Sequence, residues 1–134
     1  MTTASYELGT RMTAQTVYVS ITGLQLKARR HQPRFWWHAI RSMIQARKAP
    51  GNLSTDARFI NGVHHTRTVW TDEAAMRRYL ISGAHLQAMK AFGAIATGKT
   101  LGFTTETVPD WDEVRRLWET AGRPAGTTAK SSPV

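Results

Sequence analysis

The residues best suited to chemistry lie close together in the chain: His65, Arg67 and His85, with Thr66 and Trp70 between them. An imidazole titrates near neutrality and moves protons, and a guanidinium stabilises a developing enolate or phenolate. His65 and Arg67 share one face of the alternating run VHHTRTVW, while His64, Thr66, Thr68 and Trp70 share the other. His85 falls within the apolar face of a later helix. If the His65–Arg67 face turns toward the helices, the three groups converge on an apolar cavity lined by Trp36, Met89 and Phe92. Such a cavity suits a small apolar molecule that is aromatic or enolisable. By strand parity Trp70 then lies on the far side of the sheet, inside a dimer, unless local twist turns it. The competing reading of each histidine is an ordinary hydrogen-bonded core residue.

Other chemistries are excluded. GAIATGKT at Gly93–Thr100 has the letters of a phosphate-binding loop, but that mechanism needs a strand before it and a long helix after it. Here a helix precedes it and a β-like run follows, so Gly93 and Gly98 are expected to end the helix and turn into a strand. His64 and His65, adjacent on a strand, point to opposite faces and cannot share one ion. His38 lies on a polar helix face, His31 in a basic loop, and no carboxylate stands at ligand spacing, so no metal site is expected. With no cysteine, the chain has no disulfide, thiolate site or cysteine nucleophile.

The elements that must position these groups follow from periodicity. Val17–Leu26 alternates and is rich in β-branched residues, with Gly23 expected to mark a bulge. Pro33 opens a helix over Phe35–Ala49 whose apolar arc holds Trp36, Trp37, Ala39, Ile40, Met43 and Ile44, leaving His38, Arg41 and Gln45 in water. Leu53–Asn61 and His64–Trp70 form a hairpin around Asn61-Gly62. Thr71 is expected to cap the next helix. That helix cannot stay straight, because Met76, Tyr79 and Leu80 make one stripe and His85, Ala88, Met89 and Phe92 another on the opposite side. A break at Ser82-Gly83 resolves the conflict. Thr100–Val108 reads as a fourth strand, and Trp111–Ala121 as a closing helix with Trp111, Val114 and Trp118 inward. The order β-α-β-β-α-β plus a C-terminal helix predicts a ferredoxin-like α+β domain, one antiparallel sheet with helices on one face. The other face meets water or a second sheet, most economically in a homodimer.

The chain has 134 residues, enough for one domain burying about two-thirds of its unfolded surface. The domain is assigned to 16–124, with loose polar tails at 1–15 and 125–134. Eighteen Lys and Arg against nine Asp and Glu give a net charge of +9. Outside Lys27, Arg29, Arg30 and Arg34 the cations are dispersed and aromatics do not alternate with them. A solvated basic surface is therefore expected in place of a nucleic-acid face. No apolar run is long enough to insert in a membrane and no signal-peptide layout opens the chain, which points to the cytoplasm.

The run TVWTDEAAMRRYLISGAH, the PGNL turn and the helix RFWWHAIRSMIQARKAPG give Thr16–Gly122 a family look. This region resembles the antibiotic biosynthesis monooxygenase-like, dimeric α+β barrel superfamily, nearest its uncharacterised and spheroidene monooxygenase-like members. That superfamily includes cofactor-independent oxygenases of aromatic polyketides, haem-degrading oxygenases, cyclases, isomerases and members with no known activity. The resemblance implies a small tailoring enzyme of secondary metabolism that is a homodimer and uses no cofactor, with haem binding or a non-catalytic binding dimer as alternatives. Trp70 matches the strand tryptophan of the quinone-forming oxygenases, whereas their asparagine and tyrosine are replaced here by Thr66 and Met76. The haem-degrading tryptophan–histidine pair falls on Tyr79 and Met89, so a haem ligand would have to be His85 or His65.

Overall fold

The computed structural model describes residues 15–124, so the expected tails lie, but for Gln15, outside the described residues. Strand β1 (Val17–Leu26) leads through one 3-10 turn, Arg29–His31, into helix α1 (Gln32–Lys48). A hairpin follows, β2 (Asn52–Ile60) and β3 (Val63–Trp70), then the broken pair α2 (Glu73–Leu80) and α3 (Gly83–Ile95). Strand β4 (Ala96–Thr105), helix α4 (Trp111–Ala121) and the short β5 (Arg123–Pro124) complete the order. The sheet runs β2-β3-β1-β4-β5, antiparallel throughout, so β1 and β3 are interior strands. This is the ferredoxin-like α+β arrangement that the element order predicts.

Local chemistry fixes the joints. Asn61 and Gly62 both take positive φ, 48° and 81°, as a two-residue hairpin turn requires. The α2 cap is Asp72, whose carboxylate accepts from the Ala75 N–H at 2.9 Å. Thr71, the expected cap, is instead tied to the hairpin side by its own N–H, which donates to the Gly51 carbonyl at 2.8 Å. The helix break falls where two opposed apolar stripes demand it. Ser82 is the N-cap residue of α3, but its hydroxyl turns back to donate to the Tyr79 carbonyl at 3.0 Å.

Three expectations need correction. No bulge occurs at Gly23: β1 pairs in unbroken register with β3 and β4 through that residue. Gly23 is there because a Cβ would run into the Trp118 indole. The sheet's irregularity lies in β2, between Asn52 and Ser54. The fourth strand begins at Ala96, not Thr100, because α3 continues through Gly93 and β4 pairs with β1 from Leu26↔Ala96 onward. Finally, α1 turns the other way about its axis. Phe35, Ser42 and Ala46 are buried, while Trp36, Trp37, Ile40 and Ile44 are exposed and Gln45 contacts α3.

The two faces of the sheet carry different cores. Helices α1, α2 and α3 cover one face, where Tyr18 and Trp70 pack with Ala46, Ala75, Met76 and Tyr79. At the other end of that face Phe35, Phe92, Ile95 and Ala96 gather. On the opposite face α4 seats Val114 and Trp118 on Val19, Ile21, Val63, Val69 and Leu101. A helix therefore occupies the side on which water or a second sheet was expected.

Candidate functional site

Strand parity settles where the predicted groups go. Trp70, Thr68, Thr66 and His64 face the three helices, and His65 and Arg67 face α4. The expected convergence of His65, Arg67 and His85 is therefore corrected: the sheet separates the first two from the third. Trp70 likewise leaves the far side assigned to it by parity. It is fully buried under α1 and α2, and its Nε1–H donates to Thr68 Oγ1 at 2.8 Å.

His65 and Arg67 serve the seat of α4. The His65 ring meets the Trp118 ring edge-on at 5.0 Å, and its Nε2 lies 3.4 Å from Arg115 Nη1. Only 1% of the residue is exposed, and Nδ1 is buried with no partner. Burial, then the Arg115 charge, hold the imidazole below its usual range, against weaker pulls from the Thr22 backbone and Glu119. Arg67 donates to the Pro109 carbonyl at 2.7 Å and to Asp56 at 3.2 Å, and lies over the Trp111 ring at 4.6 Å. Both indoles of α4 thus rest on cations, Trp111 on Arg58 and Arg67, Trp118 on Lys99 and Arg115. These contacts dock a helix, with His65 sealed beneath it and Arg67 engaged by Pro109, Asp56 and Trp111.

The helix side differs. Trp70, Tyr79 and His85 stack in sequence, with ring centroids 5.2 Å and 4.5 Å apart. The Tyr79 hydroxyl donates to the Ser42 carbonyl at 2.9 Å and accepts from the Ser42 hydroxyl at 2.7 Å, and burial pushes its pKa up to about 12. Gln45 Oε1 accepts the His85 backbone N–H at 2.8 Å, which fixes the start of α3 against α1. His85 Nδ1 lies 3.3 Å from the Leu80 carbonyl. A carbonyl can only accept, so Nδ1 carries the hydrogen and Nε2 the lone pair. Burial lowers the pKa of His85, partly offset by that carbonyl, and keeps the ring neutral.

Between this stack and the Phe35–Phe92 cluster the sheet surface is hydroxylated: Ser20 and Thr22 of β1, Thr66 of β3, Thr100 of β4. Thr100 Oγ1 donates to the Ile21 carbonyl at 3.0 Å and lies 3.4 Å from Thr22 Oγ1. Among the described residues, Ser20 Oγ, Thr66 Oγ1 and His85 Nε2 make no hydrogen bond, and none is cut off from solvent. Side chains at the middle of a sheet, beneath three helices, are normally sealed. Here two hydroxyls on the sheet and the neutral base of His85 on α3 stay open to water without a partner. At the Phe35 end His64 is stacked on Phe35, Phe59 and Trp36 at 4.4, 4.6 and 5.3 Å, and Phe92 closes on Phe35 at 5.2 Å. Met89 and Trp36, expected to line a cavity, are instead 40% and 42% exposed at the surface.

Of these hydroxyl groups the sequence singled out Thr66 alone; Ser20, Thr22 and Thr100, and the Tyr79–Ser42 pair, escaped it. Alternation in VYVSITG did carry a signal for two of them, since Ser20 and Thr22 interleave with Val19 and Ile21. A separate hollow of about 520 Å³ lies at the outer edge of β4, lined by Tyr18, Glu73, Gly102, Phe103, Leu117 and Arg123 among others. None of the predicted site residues borders it. Among the described residues no cluster of His, Asp or Glu could hold a metal ion.

No protein-family model matches the chain, and no curated protein does. Solved structures do. SnoaB, a cofactor-independent oxygenase from Streptomyces nogalater, is 21% identical, with 70% of this chain and 98% of SnoaB covered at a TM-score of 0.57. A conserved protein from Methanosarcina mazei reaches a TM-score of 0.60 at 10% identity, covering 71% of this chain and 96% of its own. An antibiotic biosynthesis monooxygenase aligns at 0.56 and 13% identity, with 68% and 99% covered. These likenesses establish the fold as the one seen in antibiotic biosynthesis monooxygenase-like proteins.

Proposed function

We propose that this chain is a small tailoring enzyme that takes an apolar, aromatic or enolisable molecule into the space between the hydroxylated sheet face and α1–α3. The observation that carries the reading is the trio of unpartnered, solvent-reaching polar atoms: Ser20 Oγ, Thr66 Oγ1 and His85 Nε2. His85 Nε2 removes a proton from the substrate carbon, and the hydroxyls of Ser20 and Thr66 donate to the oxygen on which the enolate charge collects. Trp70 and Tyr79 hold the imidazole in place from behind, and Phe92 and Trp36 supply apolar wall and rim. His65 and Arg67 take no part beyond seating α4.

Where the product is an oxygenated compound, the substrate anion itself is the reductant. It gives an electron pair to dioxygen, forms a carbon–oxygen bond, and the hydroperoxide loses water. The balance is CH₂ + O₂ → C=O + H₂O, and no flavin or metal is needed. SnoaB, with the same fold, is described as a cofactor-independent oxygenase, which supports a reaction without a bound cofactor. Without oxygen, the same proton transfer serves a cyclase or isomerase. The haem alternative loses His65 as a ligand, because that ring is sealed beneath Trp118. Pairing of two copies belongs to the proposal too, with α4 within or beside the interface in place of bare sheet.

The test is a panel of enolisable aromatic ketones in deuterated buffer, read by exchange at the α-carbon and by oxygen uptake. His85→Ala should slow exchange by about a hundredfold or more, the usual worth of a general base. Full exchange activity in that variant contradicts the assignment. A Soret shift on adding haem that His85→Ala abolishes would instead favour the haem reading.

A further inference from the structure

We propose that the outer face of α1 docks this protein onto an anionic lipid bilayer. The helix is apolar on two sides. Its inner stripe, Phe35, Ala39, Ser42 and Ala46, meets the core. Its outer ridge is Trp37, Ile40 and Ile44, 61%, 52% and 47% exposed, with Trp36 beside it. Spacing of three and seven residues puts the ridge on one line along a helix of 17 residues, about 25 Å long. Among the described residues nothing covers it.

The charges around the ridge are all of one sign. Lys27, Arg29, Arg30, Arg34, Arg41, Arg47 and Lys48 lie on α1 or just before it, and no acid occurs between Glu7 and Asp56. The acids of the described region sit on other elements: Asp56 on β2, where it pairs with Arg67, and the rest at the start of α2, on α4 and in the turn before it. Arg41 lies over the Trp37 ring at 5.4 Å. His38, on the same helix, is held below its usual pKa by burial and then by Arg34 and Arg41, as a local positive field requires.

Exposed tryptophan and isoleucine ringed by arginine and lysine fit one occupant better than the rest. Headgroups of anionic lipid meet the cations, indoles sit at headgroup depth, and the isoleucines reach acyl chains. A second copy on this face would bring seven cations against seven. A nucleic acid would use the cations and stack on the indoles, yet leave Ile40 and Ile44 in water. Among the described residues no helix is long and apolar enough to cross a membrane, so α1 lies on the surface. Trp36 joins the ridge to the site through its contact with His64, so a compound dissolved in the bilayer meets the rim of the compartment first. The docking itself does not depend on the reaction proposed above.

The experiment is co-sedimentation of the full chain with vesicles of phosphatidylcholine alone, or with about one-third phosphatidylglycerol. Binding is expected to the anionic vesicles only, weakening with salt, with tryptophan emission quenched by bromine-labelled acyl chains. The pair Trp37→Ala, Ile44→Ala and the pair Arg34→Glu, Arg41→Glu should each lower partitioning about tenfold or more while the thermal melt stays in place. The proposal is overturned by equal binding to both vesicles, by none, or by binding that survives both pairs of substitutions. Tight binding of a DNA or RNA oligonucleotide without vesicle binding also overturns it. So does self-association that the Trp37→Ala, Ile44→Ala pair abolishes.

Discussion

One strand, β1, has two opposite sides. Val19 and Ile21 face α4 with no exposed surface at all, and Gly23 is reduced to a hydrogen to admit the Trp118 indole. Ser20 and Thr22, one residue over, face α1–α3 and stay half-buried, the Ser20 hydroxyl unpartnered and in reach of water, the Thr22 hydroxyl beside that of Thr100. The sealed side is built for stability: branched aliphatics, two indoles on cations, a histidine too deep to titrate freely. The side covered by α1–α3 gives up packing for polar groups with unfilled valences, which is what the proposed site requires. The difference shows that position beneath a helical layer does not by itself make a residue core.

The largest expected effect breaks the sealed side. Trp118→Ala should cost about 3–5 kcal/mol of stability, because it empties the space under α4 and strips the cover from His65. Thr66→Val, on the α1–α3 side, should change urea unfolding by less than about 1 kcal/mol. Equal losses would mean that the two sides are packed alike. Next come two glycines. Gly23→Ala should destabilise by about 1–3 kcal/mol, since the indole must shift and α4 with it. Gly93→Ala, within α3 with open space around it, should stabilise by up to about 1 kcal/mol.

Acid sharpens the comparison at smaller amplitude. His64, His65 and His85 all have folded pKa values lowered by burial, so the unfolded chain binds protons more readily than the folded one below about pH 6.5. Stability is therefore complete above that value and declines as pH falls through the lowered ones. Urea midpoints at about pH 7.5 and about pH 5 should show it, with the lower midpoint in acid. Catalysis should follow the same sign: kcat/KM falls with acid once His85 is protonated, with an inflection below the ordinary histidine value.

Much of this architecture was legible in the chain. Alternation located β1 and β3, Asn61-Gly62 located the hairpin, opposed stripes located the break between α2 and α3, and Trp111–Ala121 matched α4 residue for residue. What the sequence hides is direction. Parity says that His65 and Arg67 oppose Trp70, but not which side the helices take. Only the pairing of β1 with β3 and the seat of α4 decide that. In α1 the outer ridge is more hydrophobic than the true inner stripe, so hydropathy alone selects the wrong face. Ser42 is buried because Tyr79, on another element, supplies its hydrogen bond. Such a partner is invisible one helix at a time. The candidate site was half legible: His85, Thr66 and Trp70 do share a side, while His65 and Arg67 belong to the structural face.

Methyl groups report on the two sides separately. With a tricyclic enolisable aromatic ketone added to the labelled protein, the account predicts that the γ-methyls of Thr22, Thr66 and Thr100 shift. The His85 ring protons should shift with them, while the methyls of Val19, Ile21 and Val69 stay still. Shifts confined to the α4 side, or to residues around the hollow at the β4 edge, would contradict it.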